Sequence, residues 1–221
     1  EERNNHLNST SLVPDLHIES TCASRLRGFL DILQYCFERW IADCQSMITD
    51  PQYTSIEKND SYFINFNYTD TVEWLYKIPD DRVLHIHGRA SKHDKLIFGH
   101  NKYLHGGMYD GVDVDQTYLE LSKYQKNPYE HIFKHNELPD ILSNVEFVHV
   151  YGLSLSPVDE DYIDWIERNT PQDCKWEFSW FSEQDKQRIE EFILNHWRIK
   201  DRYQLIQLQP INKNEINKDL Q

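Results

Sequence analysis

Glycine is scarce in this sequence: its 221 residues include seven glycines, and none of them are arranged as G-x-G-x-x-G. That arrangement is the usual loop by which dinucleotide-binding folds hold a pyrophosphate. No apolar run approaches the roughly 20 residues that a membrane-crossing helix needs. The first residues, from Glu1 to Asn5, also lack the charge and apolar pattern of a signal peptide. The sequence therefore predicts neither a membrane protein nor a standard Rossmann fingerprint.

Basic residues are also in the minority, with 23 Lys and Arg against 37 Asp and Glu and a net charge of −14. Phosphate backbones are bound through clustered Lys and Arg, and no dense basic run occurs here. General nucleic-acid binding is therefore not expected. A hydrophobic content of 39% and a charged content of 27% are typical of a globular protein. The length allows one large domain or two small ones.

The cysteines form no C-x-x-C pair and have no zinc-ligand spacing; they are Cys22, Cys36, Cys44 and Cys174. Cys36 and Cys44 fall within a helical pattern, which favours buried thiols. Reduced cysteines are typical of the cytosol, so we expect a cytoplasmic protein.

Three regions are distinguished by their patterns. Residues 1–60 form an N-terminal segment, irregular over residues 1–20. From Arg25 to Ile48 apolar residues recur every three or four positions, which predicts an amphipathic helix that ends at Asp50-Pro51. Residues 61–210 form the main domain, and residues 211–221 are a polar tail.

Within the main domain, strand-like and helix-like stretches alternate, which predicts an α/β fold. We expect three layers in a Rossmann-like arrangement, with one mainly parallel sheet and helices on both faces. Val145–Tyr151 is almost continuously apolar and therefore predicts a strand buried on both faces. Ser182 with Asp185 predicts a capping box. The strand segments are Tyr62–Phe66, Val83–Ile86, Leu96–Phe98, Val145–Tyr151, Trp176–Trp180 and Tyr203–Leu208.

Four predicted strands end in polar residues or glycine. In open α/β sheets, ligands bind beyond the carboxyl ends of the strands. We therefore predict that Asn67, His87, His100 and Ser154 converge on one cleft. The strand-end residues are Asn67, His87 with Gly88, Gly99 with His100, and Gly152 with Ser154.

Each of these residues also has an ordinary structural interpretation. Asn67 is a good helix N-cap. His85 and His87 alternate with apolar residues and are predicted to face one way, as structural or metal-ligating histidines. A metal would need further ligands, from His100, His105 or Asp159, and the spacing supports no specific geometry. We therefore predict no metal here. The turn from Gly152 to Pro157 offers backbone N–H groups for phosphate, or is an ordinary strand-to-helix turn.

Taken together, these motifs resemble the AbiH family of bacterial phage abortive-infection proteins. The resemblance covers roughly residues 60–210, and the N-terminal fifth of the chain resembles no named family. Its residues are Phe66-Asn67-Tyr68-Thr69 with Glu73, His87-Gly88, Gly99-His100, and Gly152-Leu153-Ser154-Leu155 with Asp159.

AbiH proteins are similar to sirtuin-like domains, which bind NAD on a Rossmann-type sheet. The resemblance implies catalysis by Asn67 and His87. It implies nucleotide binding by Gly88, Gly99, His100, Gly152, Ser154 and Asp159. The family's opening strand and G-N-G-F-D loop are not in this sequence, so we expect either that they precede Glu1 or that the cofactor site has been lost.

The function implied by the resemblance is antiphage defence by cleavage of the N-glycosidic bond of NAD or a related nucleotide. One alternative is a non-catalytic defence module that binds a nucleotide or a phage component. A second alternative is a metal-dependent hydrolase that uses His85, His87 and His100. Expected partners are a nucleotide and a phage component that acts as trigger, and an oligomer is compatible with the sequence.

Overall fold

A computed structural model describes residues 13–49, 51, 53–56, 60–98, 135, 137–196 and 198–211. The helices of these residues are α1 (Val13–Ser46), α2 (Thr71–Tyr76), α3 (Leu138–Leu142), α4 (Glu160–Asn169) and α5 (Glu183–Asn195). The strands are β1 (Tyr53–Thr54), β2 (Phe63–Asn65), β3 (Val83–His85), β4 (Phe147–Val150), β5 (Lys175–Trp180), β6 (Tyr203–Gln207) and β7 (Pro210–Ile211). Short 3₁₀ turns occupy Asp80–Arg82 and Ala90–Lys92.

The strands of the main domain pair in parallel, which confirms a mixed α/β fold. β2 pairs with β3, with Asn65 opposite His85, and β4, β5 and β6 form a three-stranded sheet in that order. β1 and β7 form a separate antiparallel pair. The prediction of one continuous sheet is wrong for the described residues, because no ladder of hydrogen bonds joins β2 and β3 to the other three strands. The three-layer Rossmann-like arrangement stays a prediction.

One hydrophobic cluster of the described residues nevertheless joins the two parallel sheets. Leu84 and Ile86, in and just after β3, belong to the same buried cluster as Trp176 and Phe178 of β5. The helices α4 and α5 cover this cluster with Tyr162, Ile163, Ile166, Ile189, Phe192 and Ile193. Burial of apolar surface therefore holds the two sheets together where backbone pairing does not.

The most deeply buried strand is β5 and not β4. Trp176 and Phe178 are 1% and 0% exposed, whereas Phe147 of β4 is 46% exposed. β5 lies between two hydrogen-bonded neighbours, whereas β4 has one among the described residues. The predicted double burial of Val145–Tyr151 is therefore wrong, because a strand's position in the sheet decides how much of it is covered.

Two further local predictions are corrected by the structure. Leu96–Phe98 is not a strand; it is held by single hydrogen bonds, from Ile97 N–H to the carbonyl of His87 (2.9 Å) and from the Tyr68 hydroxyl to the carbonyl of Ile97 (2.7 Å). Helix α1 begins at Val13, inside the segment predicted to be irregular.

Thiol burial was also predicted incorrectly. Cys36 and Cys44 are exposed on α1, whereas Cys174 is buried. Burial raises the pKa of the Cys174 thiol. Helical periodicity alone did not show which face of α1 is covered.

The predicted capping box is present at the start of α5. The Ser182 hydroxyl accepts a hydrogen bond from Asp185 N–H (3.2 Å), and the Asp185 carboxylate accepts one from Ser182 N–H (2.9 Å). At the other end of α5, the His196 ring bridges the Phe192 carbonyl (2.7 Å) and Asp164 of α4 (2.8 Å). Both ends of this helix are therefore fixed by side-chain contacts.

Ser182→Ala is expected to lower the free energy of unfolding by about 1 kcal/mol, because it leaves an N-terminal amide of α5 without its acceptor. Urea denaturation followed by circular dichroism measures this change. Ser154→Ala is the matched control, since Ser154 is exposed and its change is expected to stay within about 0.5 kcal/mol. Equal effects of the two substitutions would contradict a stabilising role for the cap.

Candidate functional site

His87 lies in the turn directly after β3 and is 1% exposed. Its Nδ1 is 3.2 Å from the Phe66 carbonyl, which only accepts hydrogen bonds. In a neutral ring the proton is therefore on Nδ1 and the lone pair on Nε2. Nε2 is 3.8 Å from Oδ1 of Asp159, which is longer than a hydrogen bond. A histidine held in this tautomer has the form of a general base.

Two tyrosines complete the surroundings of His87. The Tyr162 ring is 5.2 Å and the Tyr68 ring 6.1 Å from the imidazole, measured between ring centroids. Tyr162 is fully buried, and its hydroxyl has no hydrogen-bond partner among the described residues. We call Tyr68, His87, Asp159 and Tyr162 the strand-end cluster.

The strand-end cluster is buried from water and contains the negative charge of Asp159. Burial, and then the charge of Asp159, raises the pKa of Tyr68 from 10.0 to about 12. The same two causes raise the pKa of Tyr162 still further. Both phenols therefore stay neutral at physiological pH. The Tyr68 O–H donates to the Ile97 carbonyl, so Tyr162 is the one of the two whose O–H can donate to a ligand.

Asn67 lies at the same edge of the β2–β3 sheet as His87. Both residues follow the opposed pair Asn65 and His85 by two positions in parallel strands. Asn67 is exposed, and its carbonyl accepts a hydrogen bond from Nδ1 of His85 (3.1 Å). Asp70, not Asn67, occupies the N-cap position of α2, so the capping interpretation is wrong.

His85 and His87 contact different helices, so the prediction that their rings face one way is wrong. Nε2 of His85 is 2.6 Å from Glu73 of α2, whereas His87 faces Asp159 and Tyr162. Arg89 pairs with Asp70 and lies 3.4 Å from Glu73. Burial by itself raises the pKa of Asp70, but hydrogen bonds from Arg89 and Ser91 bring it below its ordinary value. This network is joined to the turn that carries Asn67 by the hydrogen bond from His85 to the Asn67 carbonyl.

Among the described residues, two groups have metal-type donors within reach of one another. They are Asp70 with Glu73 and His85, and Asp164 with Glu167 and His196. The guanidinium of Arg89 lies beside the first group and repels a cation. In the second group, His196 already pairs with Asp164. Neither group includes His87. The predicted absence of a metal stays a prediction.

Gly88 is required by the fold. Its φ is +86°, and a Cβ at this position would lie 2.7 Å from the Lys95 carbonyl oxygen. The close approach that glycine permits is therefore that of another backbone segment. Binding of a ligand by Gly88 stays a prediction.

The turn after β4 carries Gly152 and Ser154, both exposed. Gly152 has a φ of +61°, and its N–H donates to the Ser179 hydroxyl (3.2 Å). α4 begins only at Glu160, and its N-terminus carries the carboxylates of Asp159, Glu160 and Asp161. Negative charge there opposes phosphate binding, and carboxylates suit the hydroxyls of a sugar better.

The structure therefore brings together His87 and Asp159, with Asn67 at the adjacent strand end. It places Ser154 on an exposed turn, where its hydroxyl makes no hydrogen bond to the described residues. Gly99 and His100 lie outside the described residues. The convergence of Asn67, His87, His100 and Ser154 on one cleft therefore stays a prediction.

The sequence matches the family model described as bacteriophage abortive infection AbiH over residues 7–180. The chain belongs to the AbiH family. Membership implies a role in abortive infection, the defence in which an infected cell stops phage multiplication. No curated protein and no solved structure matches the chain.

The AbiH match corrects the expected extent of the resemblance. It begins at residue 7 and so includes α1, and it ends at residue 180, the last residue of β5. The N-terminal segment therefore belongs to the family pattern, whereas α5 and β6 lie beyond it. Among the described residues, no helix is both long enough and apolar enough to cross a membrane.

Tyr162 is the member of the cluster that the motif analysis missed. It lies three residues after Asp159 on α4, a spacing that puts both side chains on one face of a helix. The spacing from Asp159 was therefore a weak sequence signal that Tyr162 lies on the same side as the carboxylate. Tyr68 was part of the AbiH-like motif, but its contact with His87 depends on the pairing of β2 with β3.

Gly88→Ala is expected to lower the free energy of unfolding by at least about 1 kcal/mol, because it combines a left-handed backbone with a steric clash. Gly28→Ala is the matched control. Gly28 is inside α1 with open space around it, so alanine is expected to stabilise by about 0.5–1 kcal/mol. Thermal unfolding of both variants measures these changes. A neutral Gly88→Ala variant would contradict the described packing of Lys95.

The stability of the fold is expected to fall as the pH rises from 10 to about 12, because the folded state keeps the Tyr68 proton that the unfolded state releases. Below pH 10 this contribution is fully present. Tyr68→Phe removes the titrating group, so this variant is expected to lose less stability over that range than the wild type. Urea unfolding at a series of pH values measures the difference, and identical slopes would contradict the burial of the phenol.

Proposed function

We propose that this AbiH protein is a defence enzyme that cleaves the N-glycosidic bond of NAD or a related nucleotide. The observation that carries the proposal is the His87–Asp159 pair at the ends of the strands. His87 has its proton fixed on Nδ1 by the Phe66 carbonyl, so that Nε2 faces the carboxylate of Asp159 at 3.8 Å.

In this reaction a water attacks the anomeric carbon of the ribose. The bond from that carbon to the base breaks, and its electron pair leaves with the base. His87 Nε2 takes the proton of the attacking water. One oxygen atom can contact both Nε2 and Oδ1 of Asp159, because a separation of 3.8 Å lies within the span of two hydrogen bonds of about 2.8 Å each.

Other residues would hold the nucleotide. The Asn67 amide, exposed at the adjacent strand end, would position a ribose hydroxyl or the attacking water. Asp159 would accept a hydrogen bond from a ribose hydroxyl. The neutral hydroxyl of Tyr162 would donate to an acceptor of the ligand. Gly152 and Ser154 remain the candidates for contact with the rest of the nucleotide, together with Gly88, Gly99 and His100.

The second candidate is a non-catalytic module that binds a nucleotide or a phage component. One observation favours it: His87 is 1% exposed and is packed edge-on against Phe66 and Tyr162. A general base must reach its water, and a ring buried this deeply requires an opening of the cluster. A binding module has no such requirement.

Replacing His87 or Asp159 is expected to abolish NAD loss and phage protection together. For His87→Ala we expect the rate of NAD cleavage to fall by about 10²–10⁴, the usual loss for a general base. For Asp159→Asn we expect a loss because the charged acceptor for a ribose hydroxyl is removed. NAD is measured in infected cells and with purified protein. His93→Ala is the matched control, since this histidine side chain is 86% exposed and pairs with Glu38 of α1.

Tyr162→Phe separates a site role from a structural one. The Tyr162 hydroxyl has no hydrogen-bond partner within the part of the chain that the structure describes, so its removal is expected to leave stability unchanged or slightly higher. A loss of activity or protection in this folded variant supports a ligand at the cluster. If wild-type protein protects cells while their NAD stays constant, the enzyme proposal fails. The binding module then stands if His87→Ala removes protection.

A further inference from the structure

The outer face of α1 carries a stripe of apolar side chains that the fold leaves exposed. Phe29, Leu33 and Trp40 are 61%, 40% and 58% exposed, and Cys36 between them is also exposed. Spacings of four, three and four residues put all four on one face of a helix. We call Phe29, Leu33, Cys36 and Trp40 the outer stripe.

The face of α1 next to the outer stripe is already used, and the Phe37 ring on that face stacks on Trp40 at a centroid distance of 5.8 Å. Leu30 and Ile41 are buried, and Phe37 contacts the rings of Tyr68 and Phe98 at centroid distances of 5.0 Å and 5.8 Å. α1 is thus anchored on the body of the protein by its inner side. A long helix fixed in this way, with an apolar stripe outward, is typical of a protein–protein interface.

The charged residues at the two ends of the outer stripe have opposite signs, so they would pair with those of a second, antiparallel copy of α1. Arg25 lies before the stripe and Asp43 after it, about five turns apart and therefore on the same side of the helix. Both are exposed, and neither forms an ion pair with another described residue. A helix that is basic at one end of its stripe and acidic at the other matches a second copy of itself that runs antiparallel.

We propose that α1 is the interface of a two-fold symmetric dimer in which the outer stripes of two copies pack antiparallel. In this register Phe29 packs against Trp40 of the second copy, and Leu33 against its Cys36. Arg25 of each copy then lies beside Asp43 of the other. Closed two-fold dimers are the commonest symmetric assemblies, and stripes of this spacing pack at about 20°.

The proposed dimer helix also supports the strand-end cluster. Phe37, on the inner face of α1, packs edge-on against Tyr68, and Tyr68 packs against His87. The interface and the candidate site therefore belong to two adjacent faces of one helix. The dimer does not depend on the proposed NAD chemistry and is tested separately.

Sedimentation velocity of the 221-residue chain over a range of concentrations tests the dimer directly. We expect a dimer for the wild type and a monomer for Trp40→Glu, which places a charge in the centre of the interface. Tyr35→Glu is the matched control: Tyr35 is 62% exposed on the same helix but lies off the outer stripe. It is expected to remain a dimer, and circular dichroism checks that both variants are folded.

A charge exchange tests the antiparallel register. Arg25→Glu and Asp43→Lys are each expected to weaken the dimer about tenfold or more, because each places like charges opposite one another. The double variant is expected to recover most of the wild-type affinity. Since both residues are exposed, these variants keep the test valid even if Trp40→Glu does not fold.

Three results would overturn the proposal. The first is a wild-type monomer at every concentration, which would mean that another segment of the chain or another protein covers the stripe. The second is an oligomer that Trp40→Glu and Tyr35→Glu affect equally. The third is a double charge variant that associates no better than the single variants.

Discussion

The contact of Tyr162 with Phe66 and His87 joins the two halves of this structure. Phe66 and His87 follow β2 and β3, while Tyr162 belongs to α4, the helix between β4 and β5. No described ladder of hydrogen bonds links the two parallel sheets. Packing of these aromatic rings therefore sets the relative position of the strand ends. It also sets the position of the carboxylate that faces His87, because Asp159 is the N-cap residue of α4, three residues before Tyr162.

The same packing makes the site dry. A histidine, a carboxylate and two phenols share a volume with little access to water, which raises the pKa of both tyrosines. In such surroundings a hydrogen bond to a ligand is stronger than in water, and an unmatched polar group is more expensive. The Tyr162 hydroxyl is such a group.

Features that depend on residues close together in the sequence were predicted correctly. The capping box of Ser182 and Asp185 was predicted, because it depends on four consecutive residues. The helix over Arg25–Ile48 was predicted from its periodicity, although its start at Val13 was not. The parallel strands that end at Asn65 and His85 were predicted from their alternation with helices. His87 was singled out as a strand-end residue and Asp159 as part of the motifs that resemble AbiH, and the chain belongs to that family.

The sequence by itself determined the class of the fold, the family and the chemical types of residue at the strand ends. Only the tertiary structure decided that β5 is the most buried strand, that His85 and His87 diverge, and that Tyr162 reaches the site. Each of these depends on which elements are neighbours in space. Periodicity describes one element at a time: it predicts that α1 has an apolar side but not which of those apolar residues the protein covers. Burial is a property of pairs of elements, so it was fixed only when the helices packed against the sheets.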